Sequence, residues 1–256
     1  MDRQKYESLF DMTGRTVIVT GGTRGIGRSL AEGYVAAGAN VVVASRKAEA
    51  CAETEGHLTA MGGQALGVAT HVNDLDALGA LVTATVERFG GVDVVVTNAA
   101  NALTLPLGQF TPEAWEKSFD ANLRGPVFLV QEALPHLLAS PHAAVLNVIS
   151  AGAFLFSSNV AMYASAKAGL MSMTRAMAAQ FAKDGIRVNA LAPGTVDTDM
   201  VRANTPDAQD RMRDASFMGR MADPDEMFGP ALLLTSDAGS FITGQCIIAD
   251  GGMVPH

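Results

Sequence analysis

The chain has 256 residues and a formal net charge of −8, with 26 acidic side chains against 18 basic ones. An acidic balance argues against binding to nucleic acid or to an anionic membrane, because both favour a basic protein surface. Hydrophobic residues make up 48% of the chain and charged residues only 17%, a composition that excludes intrinsic disorder. A chain of this length fits one large α/β domain, which needs neither a disulfide nor a metal for stability. We therefore expect one domain over residues 1–256, without a metal site.

One charge-free stretch, Ala143–Ala166, has the length of a membrane span. It contains several Asn and Ser side chains, which hydrocarbon would penalise heavily. We interpret it as a strand, a loop and the beginning of a buried helix. No apolar run follows the first residues, so no signal peptide is predicted. The expectation is a cytoplasmic protein with no membrane partner.

Short Val- and Ile-rich runs alternate with longer segments of helical period along most of the chain. The runs are nearly continuous in apolar residues, as expected of parallel strands covered on both faces. Strands are predicted at Thr16–Thr20, Asn40–Ala44, Ala65–Thr70, Val92–Thr97, Ala144–Ile149, Ile186–Leu191 and Cys246–Ala249. Helices are predicted at Gly25–Ala37, Lys47–Met61, Asp74–Phe89, Thr111–Leu138, Val160–Lys183 and Pro224–Ser236. This alternation predicts an α/β fold, a Rossmann-type doubly wound parallel sheet of about seven strands with helices on both faces.

A glycine-rich segment, Thr20–Gly27, joins the first predicted strand to the first of these helices. Glycines there let the backbone turn tightly and let a pyrophosphate approach the N-terminus of the helix. A glycine cluster alone is a weak signal, but the strand before it and the helix after it supply the required context. The cofactor-binding candidates in this segment are Gly21, Thr23, Arg24, Gly25, Ile26 and Gly27.

Four polar residues farther along the chain form a candidate catalytic set. Tyr163 and Lys167 are four positions apart, so in a helix both side chains serve one face, and a nearby lysine charge favours the phenolate. Ser150 follows a predicted strand, where its hydroxyl can hydrogen-bond a substrate carbonyl. Asn122 lies inside the predicted helix Thr111–Leu138, although Asn is a mediocre helix former.

The order and spacing of Asn122, Ser150, Tyr163 and Lys167, together with the glycine pattern, resemble the short-chain dehydrogenase/reductase family over about Phe10–Gly252. In that family the Asn holds a water that links the Lys to solvent, and Tyr and Lys also contact the cofactor. The motifs are closest to NADP-dependent carbonyl reductases and to 3-oxoacyl-[acyl-carrier-protein] reductase-like members. The resemblance implies further cofactor-binding residues at Asn98, Ala99, Ala100, Pro193, Gly194, Val196 and Thr198.

Two positions depart from the family pattern. Ala100 replaces the usual Gly and slightly crowds the ribose side of the cleft. His71, followed by Val72, replaces an Asp that normally bonds the adenine amino group. Both His71 and Val72 remain cofactor-binding candidates, although His71 can equally be a satisfied surface residue.

The residues after the second predicted strand bear on the choice of cofactor. Enzymes that use NAD place a carboxylate there to bind the ribose 2′-hydroxyl. This chain has Ser45 and Arg46 instead, and an Arg binds a 2′-phosphate by charge-assisted hydrogen bonds. Arg24 in the glycine segment can reach the same phosphate. The sequence therefore favours NADP(H) over NAD(H).

The leading hypothesis is an NADP(H)-dependent oxidoreductase that transfers a hydride between nicotinamide and a carbonyl or secondary alcohol. The apolar segment Ala151–Phe156 favours an apolar ketone as substrate. Alternatives are a 3-oxoacyl-[acyl-carrier-protein] or CoA reductase, for which Arg202, Arg211, Arg213 and Arg220 would form a basic patch, and sugar or polyol substrates. An alternative of another class is a non-catalytic NADP-binding sensor, which a degraded tetrad would favour.

Two expectations concern surfaces. The segment of about Asp197–Asp223 lacks strong periodicity, and it is either a substrate lid or a surface excursion that covers core. The family resemblance implies a tetramer or dimer built from the long helices. One helix face with Met171, Met173, Met177 and Phe181 suits such close packing, but it can also be ordinary core.

Overall fold

A computed structural model describes residues 2–155 and 160–254. Seven strands form one sheet, and their bounds are β1 Thr16–Thr20, β2 Asn40–Ser45, β3 Gln64–Ala69, β4 Val94–Thr97, β5 Ala144–Val148, β6 Arg187–Pro193 and β7 Cys246–Ala249. The α-helices of the described residues are α1 Arg3–Ser8, α2 Gly25–Ala36, α3 Ala48–Ala60, α4 Leu75–Phe89, α5 Pro112–Phe119, α6 Gly125–Ala139, α7 Ala161–Phe181, α8 Asp199–Arg202, α9 Pro206–Asp214 and α10 Phe228–Thr235.

The sheet is parallel throughout, in the order β3-β2-β1-β4-β5-β6-β7. Every residue of β1, β4 and β5 is buried, because helices cover both faces of a parallel sheet. The strand order reverses between β1 and β4, and such a reversal opens a crevice at the carboxyl ends of the strands. This confirms the predicted doubly wound sheet of seven strands.

The core lies in layers on the two faces of the sheet. On one face α2 and α10 pack together, and the ring of Tyr34 meets that of Phe228 edge-on with centroids 5.4 Å apart. On the other face Leu81 of α4, Leu129 of α6 and Met177 of α7 belong to one buried cluster. Both layers hold the central strands in place beneath the crevice.

The predicted strands lie within three residues of the observed bounds at each end, but the single helix predicted at Thr111–Leu138 is wrong. A π-helical turn, Asp120–Arg124, separates α5 from α6. Pro126 follows this turn and has no backbone N–H, so it cannot donate to the carbonyl of Asn122 four residues earlier. The missing donor gives a physical reason for the wider turn at this point.

The segment without strong periodicity contains two short helices that the sequence did not predict, α8 and α9, and neither has a buried residue. Its two ends are joined by backbone hydrogen bonds from Asp197 N–H to Ala222 O and from Ala222 N–H to Thr195 O, both 2.9 Å. The excursion therefore leaves and rejoins the fold at one place. We call residues 198–221 the lid segment, a name that refers to the lid hypothesis and not to an observed closure.

The methionine face of α7 packs largely against the core of this chain. Met171 and Met177 are buried, and Met173 and Phe181 pack against the same clusters. The helix predicted at Pro224–Ser236 begins as a 3₁₀ turn, Pro224–Met227, and continues as α10. Within residues 2–155 and 160–254, no helix combines the length and hydropathy needed to cross a membrane.

Candidate active site

The residues predicted to form the site lie at the carboxyl ends of the strands or in the segments just beyond them. This edge is where open α/β sheets bind ligands. β1 is followed by Gly21, Thr23, Arg24, Gly25, Ile26 and Gly27. β2 ends at Ser45 and is followed by Arg46, and β3 is followed by His71 and Val72. β4 is followed by Asn98, Ala99 and Ala100, β5 by Ser150, and β6 ends at Pro193 and is followed by Gly194, Val196 and Thr198.

The glycine loop between β1 and α2 packs so closely against the protein that side chains at Gly21 and Gly27 are excluded. Gly21 has a φ of 66°, a left-handed conformation that glycine adopts without strain. A Cβ on Gly27 would collide with the carbonyl oxygen of Gly21 and with the side-chain amide of Asn98. The 12-residue helix α2 begins at Gly25, and its first N–H groups favour an anion. The loop therefore fits the pyrophosphate of a dinucleotide.

Asn98 braces the glycine loop. Its Nδ2 donates to the carbonyl oxygens of Thr20 and Gly21 at 3.0 and 3.3 Å. The Thr20 hydroxyl oxygen accepts the backbone N–H groups of Asn98 and Ala99 at 3.0 and 3.1 Å. The polar side chain of Asn98 is thus committed to holding the loop from β1 against the end of β4.

The ends of β2 and β3 present no carboxylate to the cofactor side of the sheet. Ser45 is half-buried, and Arg46 is exposed and forms no ion pair within the described part of the chain. His71 is also exposed, and its Nδ1 accepts the backbone N–H of Asn73 at 3.2 Å. The bond leaves Nε2 of His71 for any further partner.

Lys167 and Tyr163 lie on one face of α7, as their spacing predicts. Lys167 is only 1% exposed, and its Nζ donates to the carbonyl oxygen of Val148, the last residue of β5, at 2.7 Å. The same Nζ lies 5.9 Å from the centre of the Tyr163 ring. Burial lowers the pKa of Lys167 to about 7, because the interior disfavours its charged form.

Burial raises the pKa of the Tyr163 phenol, and a hydrogen bond with Ser150 opposes this rise only in part. Without a cofactor the pKa of Tyr163 is therefore raised, whereas the predicted lowering requires the charge of an oxidised nicotinamide beside that of Lys167. Ser150 lies two residues beyond β5, and its hydroxyl oxygen accepts the N–H of Gly152 at 3.0 Å. Tyr163, Lys167 and Ser150 thus converge on the end of one strand.

Asn122 is buried inside the π-helical turn, and its side chain is fully engaged. Nδ2 donates to the carbonyl oxygens of Asn101 and Ser118, both at 2.8 Å, and Oδ1 accepts the N–H of Asn101 at 3.3 Å. The side chain therefore acts as a clamp between the α5–α6 region and the segment after β4. No local pattern identifies Asn101 as its partner, because the two residues are 21 positions apart.

The segment after β6 closes the far side of the crevice. The side chain of Val196 is buried in the core, so only its backbone remains for a cofactor contact. A Cβ on Gly25 would lie 3.1 Å from the methyl carbon of Thr198, which brings the start of the lid segment against the glycine loop. Within the described residues, no group of His, Cys, Asp and Glu is arranged to hold a metal ion.

The wall next to Ser150 is apolar. Ala151, Ala153, Phe154 and Leu155 follow it, and Phe154 is 39% exposed. Phe156, also expected in this wall, lies outside the described residues. An apolar wall beside a hydroxyl suits a substrate with one polar reacting group.

Comparisons with known proteins find similar chains over nearly the whole length. The sequence profile of a family described as enoyl-(acyl carrier protein) reductase matches residues 21–254. A 2,5-dichloro-2,5-cyclohexadiene-1,4-diol dehydrogenase of Sphingobium indicum is 38% identical over 249 residues, which cover 95% of this chain and 98% of the relative. A cis-4-hydroxycyclohexanecarboxylate dehydrogenase of Sinomonas cyclohexanicum is 36% identical, over 93% of this chain and 96% of the relative.

A solved structure is also similar to this chain in sequence and fold. A 3-oxoacyl (acyl-carrier-protein) reductase from Agrobacterium tumefaciens C58, determined with NADP bound, superposes with a TM-score of 0.90 at 35% sequence identity and covers 98% of this chain and 99% of its own. Profile, sequence relatives and structure agree along nearly the whole length. The chain belongs to the short-chain dehydrogenase/reductase family and is an oxidoreductase that acts on CH–OH groups.

Proposed function

We propose that the protein is an NADP(H)-dependent oxidoreductase that interconverts a small apolar ketone and its secondary alcohol. The observation that carries this proposal is the convergence of Ser150, Tyr163 and Lys167 at the end of β5. A nicotinamide bound in the crevice supplies the hydride donor or acceptor. The glycine loop, in which Gly27 packs closely against Gly21 and Asn98, holds the pyrophosphate.

Each catalytic side chain has a separate task in this proposal. Ser150 donates a hydrogen bond to the substrate oxygen and so fixes the carbonyl. Tyr163 donates its phenolic proton to that oxygen during reduction and takes it back during oxidation. The ordinary pKa of a phenol is near 10 and burial raises that of Tyr163, so the phenol carries its proton at neutral pH in the protein without cofactor. Lys167 returns a proton to Tyr163. The side chain of Asn122 holds the π-helical turn in place, and the backbone carbonyl of Asn122 binds the water that links Lys167 to solvent.

Exchange of Tyr163 for Phe tests the proton transfer. The variant keeps the ring that fills the space but has no proton to give, so we expect NADPH binding within about twofold of wild type and a loss of turnover of at least ~100-fold. NADPH binding is measured by fluorescence titration, and turnover by absorbance of the reduced cofactor. A Phe variant with full turnover contradicts the assignment.

The preference for NADP(H) rests on the charges beside the adenosine end. Arg46 follows β2 without an ion-pair partner in the described residues, Arg24 lies in the glycine loop, and Ser45 stands where a repelling carboxylate would be. Exchange of Arg46 for Asp should shift the ratio of kcat/KM for NADPH and NADH toward NADH by ~10-fold or more. Lys47→Asp, a change of the same charge one position later, is the matched control.

For the substrate, we propose a six-membered ring that carries a secondary alcohol or ketone. The apolar residues Ala153, Phe154 and Leu155, which follow Ser150 and are not fully buried, support an apolar ring, and two relatives are named for hydroxylated six-membered rings. We propose the lid segment as the cover of this site. A panel of cyclohexanols, cyclohexanones, sugars and 3-oxoacyl thioesters, assayed by cofactor absorbance, tests the choice. Highest kcat/KM on a sugar or a thioester contradicts it.

The second candidate is a 3-oxoacyl-[acyl-carrier-protein] reductase, since a similar structure carries that name. Its acidic carrier protein would need free basic side chains near the crevice. Three of the four lid-region arginines are neutralised by ion pairs, Arg202 with Asp197, Arg213 with Asp210 and Arg220 with Glu226. This pairing disfavours the carrier protein and supports the small ketone.

A non-catalytic NADP-binding sensor is disfavoured because all four catalytic residues are present.

We propose that the protein is cytoplasmic and forms a dimer or tetramer. Sedimentation at micromolar concentration tests the assembly, and a monomer there removes it.

A further inference from the structure

Arg24 connects the glycine loop to the lid segment. It lies at the N-cap of α2 and makes no capping hydrogen bond. Its Nη1 lies 3.8 Å from Oδ2 of Asp199, and the two side chains are 71% and 64% exposed. Asp199 is the first residue of α8, the first helix of the lid segment. The contact therefore joins a side chain of the glycine loop to the segment proposed as the cover of the site.

The pair is weak enough for an anion to replace it. Exposed ion pairs contribute about 0.2–1 kcal/mol, and 3.8 Å is near the upper limit for such a contact. Nearby Asp197 instead pairs with Arg202, whose guanidinium donates to both of its oxygens at 2.7 and 3.0 Å. Asp199 is thus the carboxylate that competes for Arg24.

We propose that Asp199 is a specificity-determining residue that competes with the cofactor's 2′-phosphate for Arg24. The competition lowers the affinity for the phosphorylated cofactor and leaves the affinity for NAD(H) unchanged. It also couples the two sites, because a 2′-phosphate that takes Arg24 frees the start of α8 from the glycine loop. The inference rests on the proposed role of Arg24 as a 2′-phosphate ligand.

The test uses two ligands that differ only in that phosphate, 2′,5′-ADP and 5′-AMP, with affinities measured by calorimetry on the full-length protein. Asp199→Asn removes the charge at constant shape, and Asp207→Asn removes an equal charge from exposed α9. We expect Asp199→Asn to bind 2′,5′-ADP ~2- to 5-fold more tightly than wild type, the full effect of an exposed pair. Neither variant should change the affinity for 5′-AMP, and Asp207→Asn should leave that for 2′,5′-ADP unchanged.

A second arm uses the variant Arg24→Ala, in which Asp199→Asn should no longer increase the affinity for 2′,5′-ADP. Hydrogen exchange of α8 adds a readout independent of affinity, since both 2′,5′-ADP and Asp199→Asn should speed the exchange. Equal affinities of Asp199→Asn and Asp207→Asn for 2′,5′-ADP overturn the inference, as does a gain that persists without Arg24. Equal binding of 2′,5′-ADP and 5′-AMP by wild type instead refutes the proposed phosphate site itself.

Discussion

Lys167 should reduce the stability of the folded protein, and the variant Lys167→Met should therefore be more stable near neutral pH. Burial lowers the pKa of this lysine from 10.5 to about 7. One pKa unit corresponds to about 1.4 kcal/mol, so protonation in the unfolded chain lowers the free energy of unfolding by about 4 kcal/mol at pH 7. Met fills a similar volume without a charge.

Part of this gain is offset. Lys167 donates to the carbonyl oxygen of Val148 at 2.7 Å, and Met leaves that buried acceptor without its partner, at a cost of about 1–3 kcal/mol. We therefore expect Lys167→Met to raise the free energy of unfolding by about 1–3 kcal/mol near pH 7. Exposed Lys183→Met is the control and should change it by less than about 0.5 kcal/mol.

The pH dependence gives the sharper test. Below the folded-state pKa both states carry the proton, and the penalty is complete. Between pH 7 and pH 10.5 the unfolded chain binds more protons, so wild-type stability rises with pH and the penalty disappears above that range. The advantage of Lys167→Met should shrink by about 3 kcal/mol between about pH 6.5 and about pH 9.5. Urea unfolding of wild type and both variants at one protein concentration measures this, and a constant difference across the range refutes the reasoning.

Three further predictions follow from contacts in the fold. Gly27→Ala places a methyl group against Asn98 and should weaken NADPH binding at least ~10-fold, measured by fluorescence titration. Asn122→Ala leaves the backbone carbonyl of Asn101 unsatisfied and should cost about 1–3 kcal/mol in urea unfolding; Asn122→Asp, which keeps the acceptor but loses the donor, should show a comparable loss. Arg187→Met removes donors to the carbonyl oxygens of Leu234, Ser236 and Gly239 and should cost about 3 kcal/mol, whereas unchanged stability contradicts the network.

The sequence predicted the sheet well because its information there is local. Each strand is a short run of apolar residues, and a parallel sheet buries both of its faces. The positions of Tyr163 and Lys167 on one helix face follow from helical spacing alone. Ser150 and the glycine loop could be predicted for the same reason, since each comes just after a predicted strand.

Contacts between residues far apart in the chain could not be predicted from the sequence. Nothing near Arg187 indicates that its guanidinium donates to carbonyls about 50 positions later, and the clamp between Asn122 and Asn101 is equally remote in sequence. The π-helical turn had one local signal, Pro126, which cannot donate to the carbonyl of Asn122. The direction of the Tyr163 pKa shift depends on burial, which spacing does not reveal. The short lid helices were missed because neither buries an apolar residue.

A buried chain of hydrogen bonds fixes the rotation of α7 about its own axis. Thr97 of β4 donates to Asn147 of β5, and Asn147 donates to Thr174 of α7, each at 2.8 Å. At ~100° per residue, Thr174 lies within about 20° of the helical line that carries Tyr163 and Lys167. The middle of the sheet thus sets the direction in which the catalytic side chains point, three helical turns away from the phenol. The orientation of the catalytic side chains therefore depends on three buried residues, none of which belongs to the catalytic set.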